Sequence, residues 1–179
     1  YGHNMIDWVR SSATEPWQAT NITDINVAGI ETSIAFNMEE LMPNSFLKTI
    51  TFGYAYLEAD KSSDEFMSRY VLDILKHKAD LLINHKLWQN LSATWAFSCQ
   101  DREGGYIKYV NGTPETTETP YNPFLVMDLQ LNYKLKNWLF FAEATNLLNT
   151  EYVDYGNVPQ AGRWIRMGLR FNTRLGKTE

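Results

Sequence analysis

The chain has 179 residues, with 16 Lys+Arg against 21 Asp+Glu and a net charge of −5. Aromatic residues make up 14% and charged residues 21%, too aromatic for a disordered chain and too acidic for a general nucleic-acid binder. A lone cysteine, Cys99, excludes an internal disulfide framework and a multi-cysteine metal centre. No apolar run is long enough for a membrane-spanning helix, but barrel strands, which alternate, escape that exclusion. The chain opens on Tyr1 and shows no signal peptide, as a mature or truncated product would.

Eight strands are predicted in chain order. Residues 4–10 form a weak first strand. In 28–36, Ala28, Ile30, Ile34 and Phe36 oppose Gly29, Glu31, Ser33 and Ala35. In 49–56, Ile50, Phe52, Tyr54 and Tyr56 oppose Thr49, Thr51, Gly53 and Ala55. A fourth, weaker strand lies within 69–85, with Leu81, Ile83 and His85 on one face. In 91–100, Leu91, Ala93, Trp95, Phe97 and Cys99 oppose Ser92, Thr94, Ala96, Ser98 and Gln100. The clearest strand is 125–134, where Leu125, Met127, Leu129, Leu131 and Tyr133 alternate with Val126, Asp128, Gln130, Asn132 and Lys134. Period two over ten residues places one apolar face on a strand, whereas a helix would scatter these leucines around its girth. Residues 139–145 alternate less cleanly. In the eighth strand Ile165, Met167, Leu169 and Phe171 oppose Trp164, Arg166, Gly168 and Arg170.

The connections alternate in length. Residues 11–18, 59–68, 102–122 and 146–162 are long and polar, and 39–45, 86–90 and 134–138 are shorter. Long loops at one end and tight turns at the other are the pattern of an antiparallel up-and-down transmembrane β-barrel. A soluble β-sandwich also alternates. The polar face favours the barrel, because it is largely Ser, Thr, Ala, Gly, Asn and Gln rather than the Lys and Glu of a sheet facing bulk water. The apolar faces are almost free of charge, apart from Lys48. Phe46, Tyr70, Trp88, Tyr133 and Trp138 sit near strand ends, where an interfacial girdle is expected.

Catalytic and metal chemistry find little support. His3, His77 and His85 lack metal-ligand spacing, Ser98 has no nucleophile-elbow context, and Gly104-Gly105 is not a phosphate cradle. Asp60, Asp64 and Glu65 read as a solvated acidic loop. Asn111-Gly112-Thr113 fits the glycosylation letter pattern. The expectation is a protein that is not an enzyme and uses no cofactor.

Several strings matter together: Ile6-Asp7-Trp8, Asn21, Gly29-Ile30-Glu31, Ser68-Arg69-Tyr70, His77-Lys78, Asp101-Arg102, Pro120-Tyr121 and Asp128. They are followed by Asn146-Leu147-Leu148-Asn149-Thr150-Glu151-Tyr152, Gly162-Arg163-Trp164 and Gly168-Leu169-Arg170-Phe171. In this order the chain resembles the C-terminal portion of TonB-dependent outer-membrane receptors, the cobalamin and siderophore type. The resemblance runs from Ile6 to Phe171, and the Asn-Leu-x-Asn ending is its most specific part. It implies a barrel of about 22 strands closed by an N-terminal plug, of which residues 1–179 are a single C-terminal barrel segment. It also implies a bacterial outer-membrane location, a corrinoid or ferric siderophore as nutrient ligand, outer-membrane lipid around the wall, and TonB as partner through plug and N-terminal segments beyond this chain. One departure is that Asn172 to Glu179 follow Phe171, where such barrels end on an aromatic residue.

Loop aromatics and their neighbours, Trp17, Arg102, Tyr106, Tyr109 and Tyr121, are the candidate ligand contacts, since rigid amphipathic rings suit large planar ligands. Glu31, Asp128, Gln130, Arg163, Arg166 and Arg170 are expected to face the lumen, with the arginines pairing to Glu31, Asp128 or Glu143. Gly29 and Gly168 are expected where the wall needs close approach. Two rival readings are a self-contained eight-stranded outer-membrane barrel with a structural or adhesive role and a soluble lipocalin-like barrel. The direction of the apolar side chains separates the membrane readings from the soluble one.

Overall fold

A computed structural model of the chain describes residues 5–12, 15–22, 25–61, 67–68, 74–154 and 158–173. The elements are β1 (Met5–Arg10), β2 (Gln18–Ile22), β3 (Ile25–Asn37), α1 (Met38–Leu41), β4 (Leu47–Lys61), β5 (Met67–Ser68), β6 (Leu75–Lys86), β7 (Leu91–Arg102), β8 (Gly105–Val110), β9 (Thr113–Pro120), β10 (Phe124–Leu135), β11 (Trp138–Thr145) and β12 (Trp164–Phe171). Seven of them build one sheet in the order β12-β11-β10-β7-β6-β4-β3. Every neighbouring pair is antiparallel. The sheet is open, with β3 and β12 at its edges. A strand such as β10, with 12 residues, is about 40 Å long at roughly 3.3 Å per residue, enough when tilted to cross a hydrocarbon layer about 30 Å thick.

Register joins the alternation of single strands into continuous rows. One row runs Phe36–Ile50–Ile83–Trp95–Leu129–Ala144–Ile165 and is apolar across all seven strands. The next runs Asn37–Thr49–Asn84–Thr94–Gln130–Glu143–Arg166 and is polar throughout. Since side chains of successive residues point to opposite faces, one face of the sheet is apolar and the other polar. A slip of one residue in any strand would exchange its faces.

Among the described residues, nothing covers the apolar face. Among the described residues, only Val9, Ala93 and Tyr121 are buried apolar side chains, whereas Ile30 is 71% and Met167 78% exposed. A sandwich or a lipocalin would bury this face in its own interior. An exposed apolar face of this kind suits an apolar surrounding. At the tight-turn end the face carries a ring cluster: Trp138 lies 4.7 Å from Phe171 and 6.3 Å from Phe140, which lies 6.5 Å from Tyr133. Phe46 and Trp88 are exposed at the same end.

The polar face needs two glycines. A Cβ on Gly168 would come within 2.6 Å of Phe141 Cζ, so the ring of Phe141 lies across its cross-strand partner. Leu57 is packed over Gly29 in the same way. Both positions match the expected close approach.

The described residues form twelve strands rather than eight, and three expectations change. The expected strand at 4–10, described from Met5, does not border the strand at 28–36. Instead β1 pairs with β2 and with β5 in a separate three-stranded sheet, because a short 11–17 connection lets the hairpin close locally. The connection 102–122 is not loop throughout: β8 and β9 form a hairpin inside it. Its turn, Asn111 at φ 52° and Gly112 at φ 80°, has the left-handed pair that tight hairpins require. Within 39–45, α1 forms one helical turn, with the Asn37 side chain accepting from the Glu39 N–H at 3.2 Å. His3, Asp64, Glu65 and Tyr70 lie outside the described residues.

Leu129→Arg places a cation in the middle of the apolar row and is expected to cost about 2–4 kcal/mol in a bilayer or micelle, and Gln130→Arg much less. Denaturant unfolding of the refolded protein in detergent measures both. Equal costs, or the reverse order, would mean that the apolar face points inward.

Candidate functional site

The antiparallel alternation sends the connections between β4 and β6, β7 and β10, and β11 and β12 to one end of the sheet. Two regions offer polar groups to a ligand: the polar face and this long-connection end.

On the polar face, Glu31, Ser33, Asp80, Ser98 and Asp128 line a hollow of about 360 Å³. Its charges are matched in part, since Lys78 pairs with Asp80 at 3.2 Å. Arg166 grips Glu143 through two bonds, Nε to Oε2 at 3.0 Å and Nη2 to Oε1 at 2.8 Å, and fork-to-fork geometry makes this the strong form of the pair. The expected pairing of an arginine with Glu143 is therefore present. Gln130 stands next to Glu143 in the polar row, and Arg170 stands opposite Leu139 on the same face. Arg163 precedes β12, and its backbone N–H donates to Asn149 Oδ1 at 2.9 Å.

At the long-connection end, Asn146 organises the last turn. It is 4% exposed and adopts φ 48°, with Asn149 at φ 55°, a region that asparagine tolerates better than most residues. The Asn146 N–H donates to Asp128 Oδ1 at 2.8 Å, its side-chain amide donates to the carbonyls of Thr150 at 2.9 Å and Ala161 at 3.2 Å, and its Oδ1 accepts from the Thr150 N–H at 2.8 Å. Thr150 Oγ1 reaches the Leu125 carbonyl at 2.8 Å. Gly162 lacks the Cβ that would stand 2.9 Å from Asn149 Oδ1. The Asn-Leu-Leu-Asn-Thr-Glu-Tyr and Gly-Arg strings are thus the two halves of one corner that ties the last connection to β10.

The other connections join this corner. Arg102 Nη2 donates to Asp154 Oδ1 at 2.8 Å, and the Arg102 guanidinium lies 6.0 Å from the Tyr121 ring. Tyr121 is 5.3 Å from Tyr106, and Phe124 stacks on Tyr152 at 4.2 Å. The Glu103 N–H donates to the Ile74 carbonyl at 2.9 Å. Burial and the Asp154 and Asp128 carboxylates push the Tyr152 hydroxyl above its ordinary range, so it stays protonated. Between the hairpin foot and the corner lies a pocket of about 770 Å³.

Of the ligand candidates, Arg102, Tyr106 and Tyr121 come together. Tyr109 stands exposed further along β8, and Trp17 belongs to the N-terminal sheet region, with the Arg10 guanidinium 4.4 Å over its ring. The candidate set omitted Phe124, Tyr152 and Asp154. Tyr152 lies inside the most specific sequence string, whereas nothing local marks Asp154 as a partner of Arg102, 52 residues away. His77 and His85 serve the apolar face: His77 Nδ1 bonds Tyr54 Oη at 2.8 Å, and Trp95 Nε1 donates to His85 Nε2 at 2.9 Å.

The chain matches the family model described as TonB dependent receptor-like, beta-barrel, over residues 3–147. No curated protein and no solved structure matches it.

Asn146→Ala removes three side-chain hydrogen bonds worth about 1 kcal/mol each and strains the positive φ, for an expected loss of about 2–4 kcal/mol in detergent unfolding followed by tryptophan fluorescence. Asn146→Gly should recover about 1 kcal/mol of that, because it relieves only the backbone. Identical losses would show that the hydrogen bonds alone hold the corner.

Proposed function

This chain belongs to the TonB-dependent receptor β-barrel family, and we propose that it supplies wall and outer rim to a bacterial outer-membrane receptor for a scarce nutrient, a corrinoid or a ferric siderophore. The observation that carries this reading is the division of one sheet into an apolar and a polar face, with the long connections gathered and cross-linked at one end. An apolar face without cover suits lipid, and a polar face of small neutral groups suits a lumen. A rigid scaffold with long connections at its rim is where recognition is usually placed.

In this reading the long-connection end faces outside, and the turns at 87–90 and 136–137 face the periplasm. The segment performs no covalent chemistry. TonB acts on the plug of the whole receptor, while these strands hold the passage and present the rim to the ligand.

The β8–β9 hairpin offers the direct test. The Tyr121 N–H donates to the Gly104 carbonyl at 3.3 Å, so residues 105–120 can be removed between two groups already in contact. In the full-length receptor this deletion should leave a heat-modifiable barrel and weaken nutrient binding at least tenfold, about 1.4 kcal/mol. Equilibrium binding of labelled corrinoid and of ferric siderophore reads the effect, and undiminished affinity would make this segment wall alone. Protease added to intact cells should cut within the same hairpin. Cleavage only after the outer membrane is ruptured would invert the orientation.

A further inference from the structure

The apolar face is not uniform across the sheet. On β11 its residues change in size along the strand: Trp138 and Phe140 stand at the tight-turn end, and Ala142 and Ala144 follow. Register flanks these two alanines with long side chains. Leu131 and Met167 lie opposite Ala142, and Leu129 and Ile165 lie opposite Ala144. The methyls are therefore the floor of a furrow along β11, with β10 and β12 as its walls. Both walls belong to this chain, so the furrow is complete without any strand that continues the sheet. Toward the turn lies a hollow of about 390 Å³, where Leu91, Tyr133 and Phe140 join Leu131, Ala142 and Met167.

The turn end gives the furrow a polarity. The rings of Trp138 and Phe140 stack at 6.3 Å across its mouth. The Trp138 indole and the Tyr133 hydroxyl bring hydrogen-bond donors to this end. Just beyond the rings Lys136 sits in the turn, exposed, at φ 51°. An apolar slot thus ends on two donors and a cation.

Lipid tails are as apolar as leucine, so a smooth wall gains nothing by keeping one chain rather than another; shape and polar contacts make the difference. A furrow puts wall atoms on both sides of a chain, and each added contact contributes a little dispersion energy. A methionine in the wall adapts to a flexible guest. Tryptophan and tyrosine settle at the level of lipid headgroups, and a lysine there attracts anionic ones.

We propose that β10, β11 and β12 form a binding site for one anionic phospholipid, with an acyl chain along Ala142 and Ala144 and the phosphate held by Lys136 at the turn. The proposal rests on the apolar face being turned to lipid and is independent of the nutrient the receptor carries.

The probe is dioleoylphosphatidylglycerol with a photoreactive diazirine on one acyl chain, bound to the full-length receptor in neutral detergent, irradiated and mapped by mass spectrometry of peptides. Labelling should concentrate on the apolar residues of 129–144 and 164–169. Unlabelled dioleoylphosphatidylglycerol should compete about fivefold better than dioleoylphosphatidylcholine, which has the same chains and no net charge. Ala142→Leu with Ala144→Leu fills the furrow with side chains at home in lipid and should weaken binding by about tenfold or more, as losing the burial of two methylenes would. Lys136→Gln should keep the labelled positions and erase the preference for the anionic lipid. Ile34→Ala, on the apolar face of β3, should change neither. Heat-modifiable mobility on a gel establishes that each variant is folded.

Labelling spread evenly over the apolar residues of every strand, equal competition by the two lipids, or indifference to the paired alanine substitutions would overturn the site and leave the receptor reading standing. Labelling at Gln130 and Asn132 in place of Leu129 and Leu131 would overturn the proposal together with the facing on which it rests.

Discussion

The register of the seven-stranded sheet is the constraint on which everything else depends. Period two in one strand says only that the strand has two faces. When Phe36, Ile50, Ile83, Trp95, Leu129, Ala144 and Ile165 fall in one row, the faces become properties of the whole sheet. The free energy of an ordinary fold comes largely from apolar surface removed from water into a protein interior. This sheet has almost no such interior among its described residues. Its apolar face becomes favourable only when a surrounding medium takes the place of that interior. That division is the one a transmembrane β-barrel has, with the polar face toward its lumen.

Given that division, the details of the wall have clear reasons. The inner face can hold charge if charge is matched, and the Arg166–Glu143 fork does this at the β12 edge. It can hold a large ring where the partner strand has no Cβ, as with Phe141 over Gly168. The connections answer to a different constraint. They lie in water and are ordered by polar contacts: an asparagine corner on β10, an arginine–carboxylate bond between two connections, and stacked rings at the hairpin foot. The wall is specified by pattern, the rim by individual hydrogen bonds.

This difference explains what was legible in the sequence. The strands of the main sheet and their faces could be read from alternation, because each strand contributes its own period. The close approach at Gly29 and Gly168 was legible from glycines that fall on the polar face. The β8–β9 hairpin was missed because Thr113–Pro120 consists only of Thr, Glu and Pro, which read as loop. Asn111-Gly112 was the available signal, since that dipeptide between strands marks a tight hairpin. The placing of β1 beside β5 had no signal at all, because β5 spans two residues and lies 57 to 59 positions further along the chain. At the site, the individual rings were visible as aromatics in polar segments. Their meeting at the foot of the hairpin depends on long-range packing, as does the bond from Arg102 to Asp154, and no local pattern encodes either.

The strand order has a kinetic consequence. In the main sheet each strand pairs with the strand that precedes it in that sheet and with the one that follows, so no pairing waits for a distant part of the chain. Closing short loops costs little chain entropy, and topologies made of near-neighbour contacts are the faster ones to form. The sheet can therefore grow by accretion from either edge, each new strand finding a finished template beside it. The join of Val9 and Arg10 to Ser68 and Met67 is different, since it encloses β3 and β4. It closes a longer stretch of chain than any pairing in the main sheet and so carries the larger loop-closure cost.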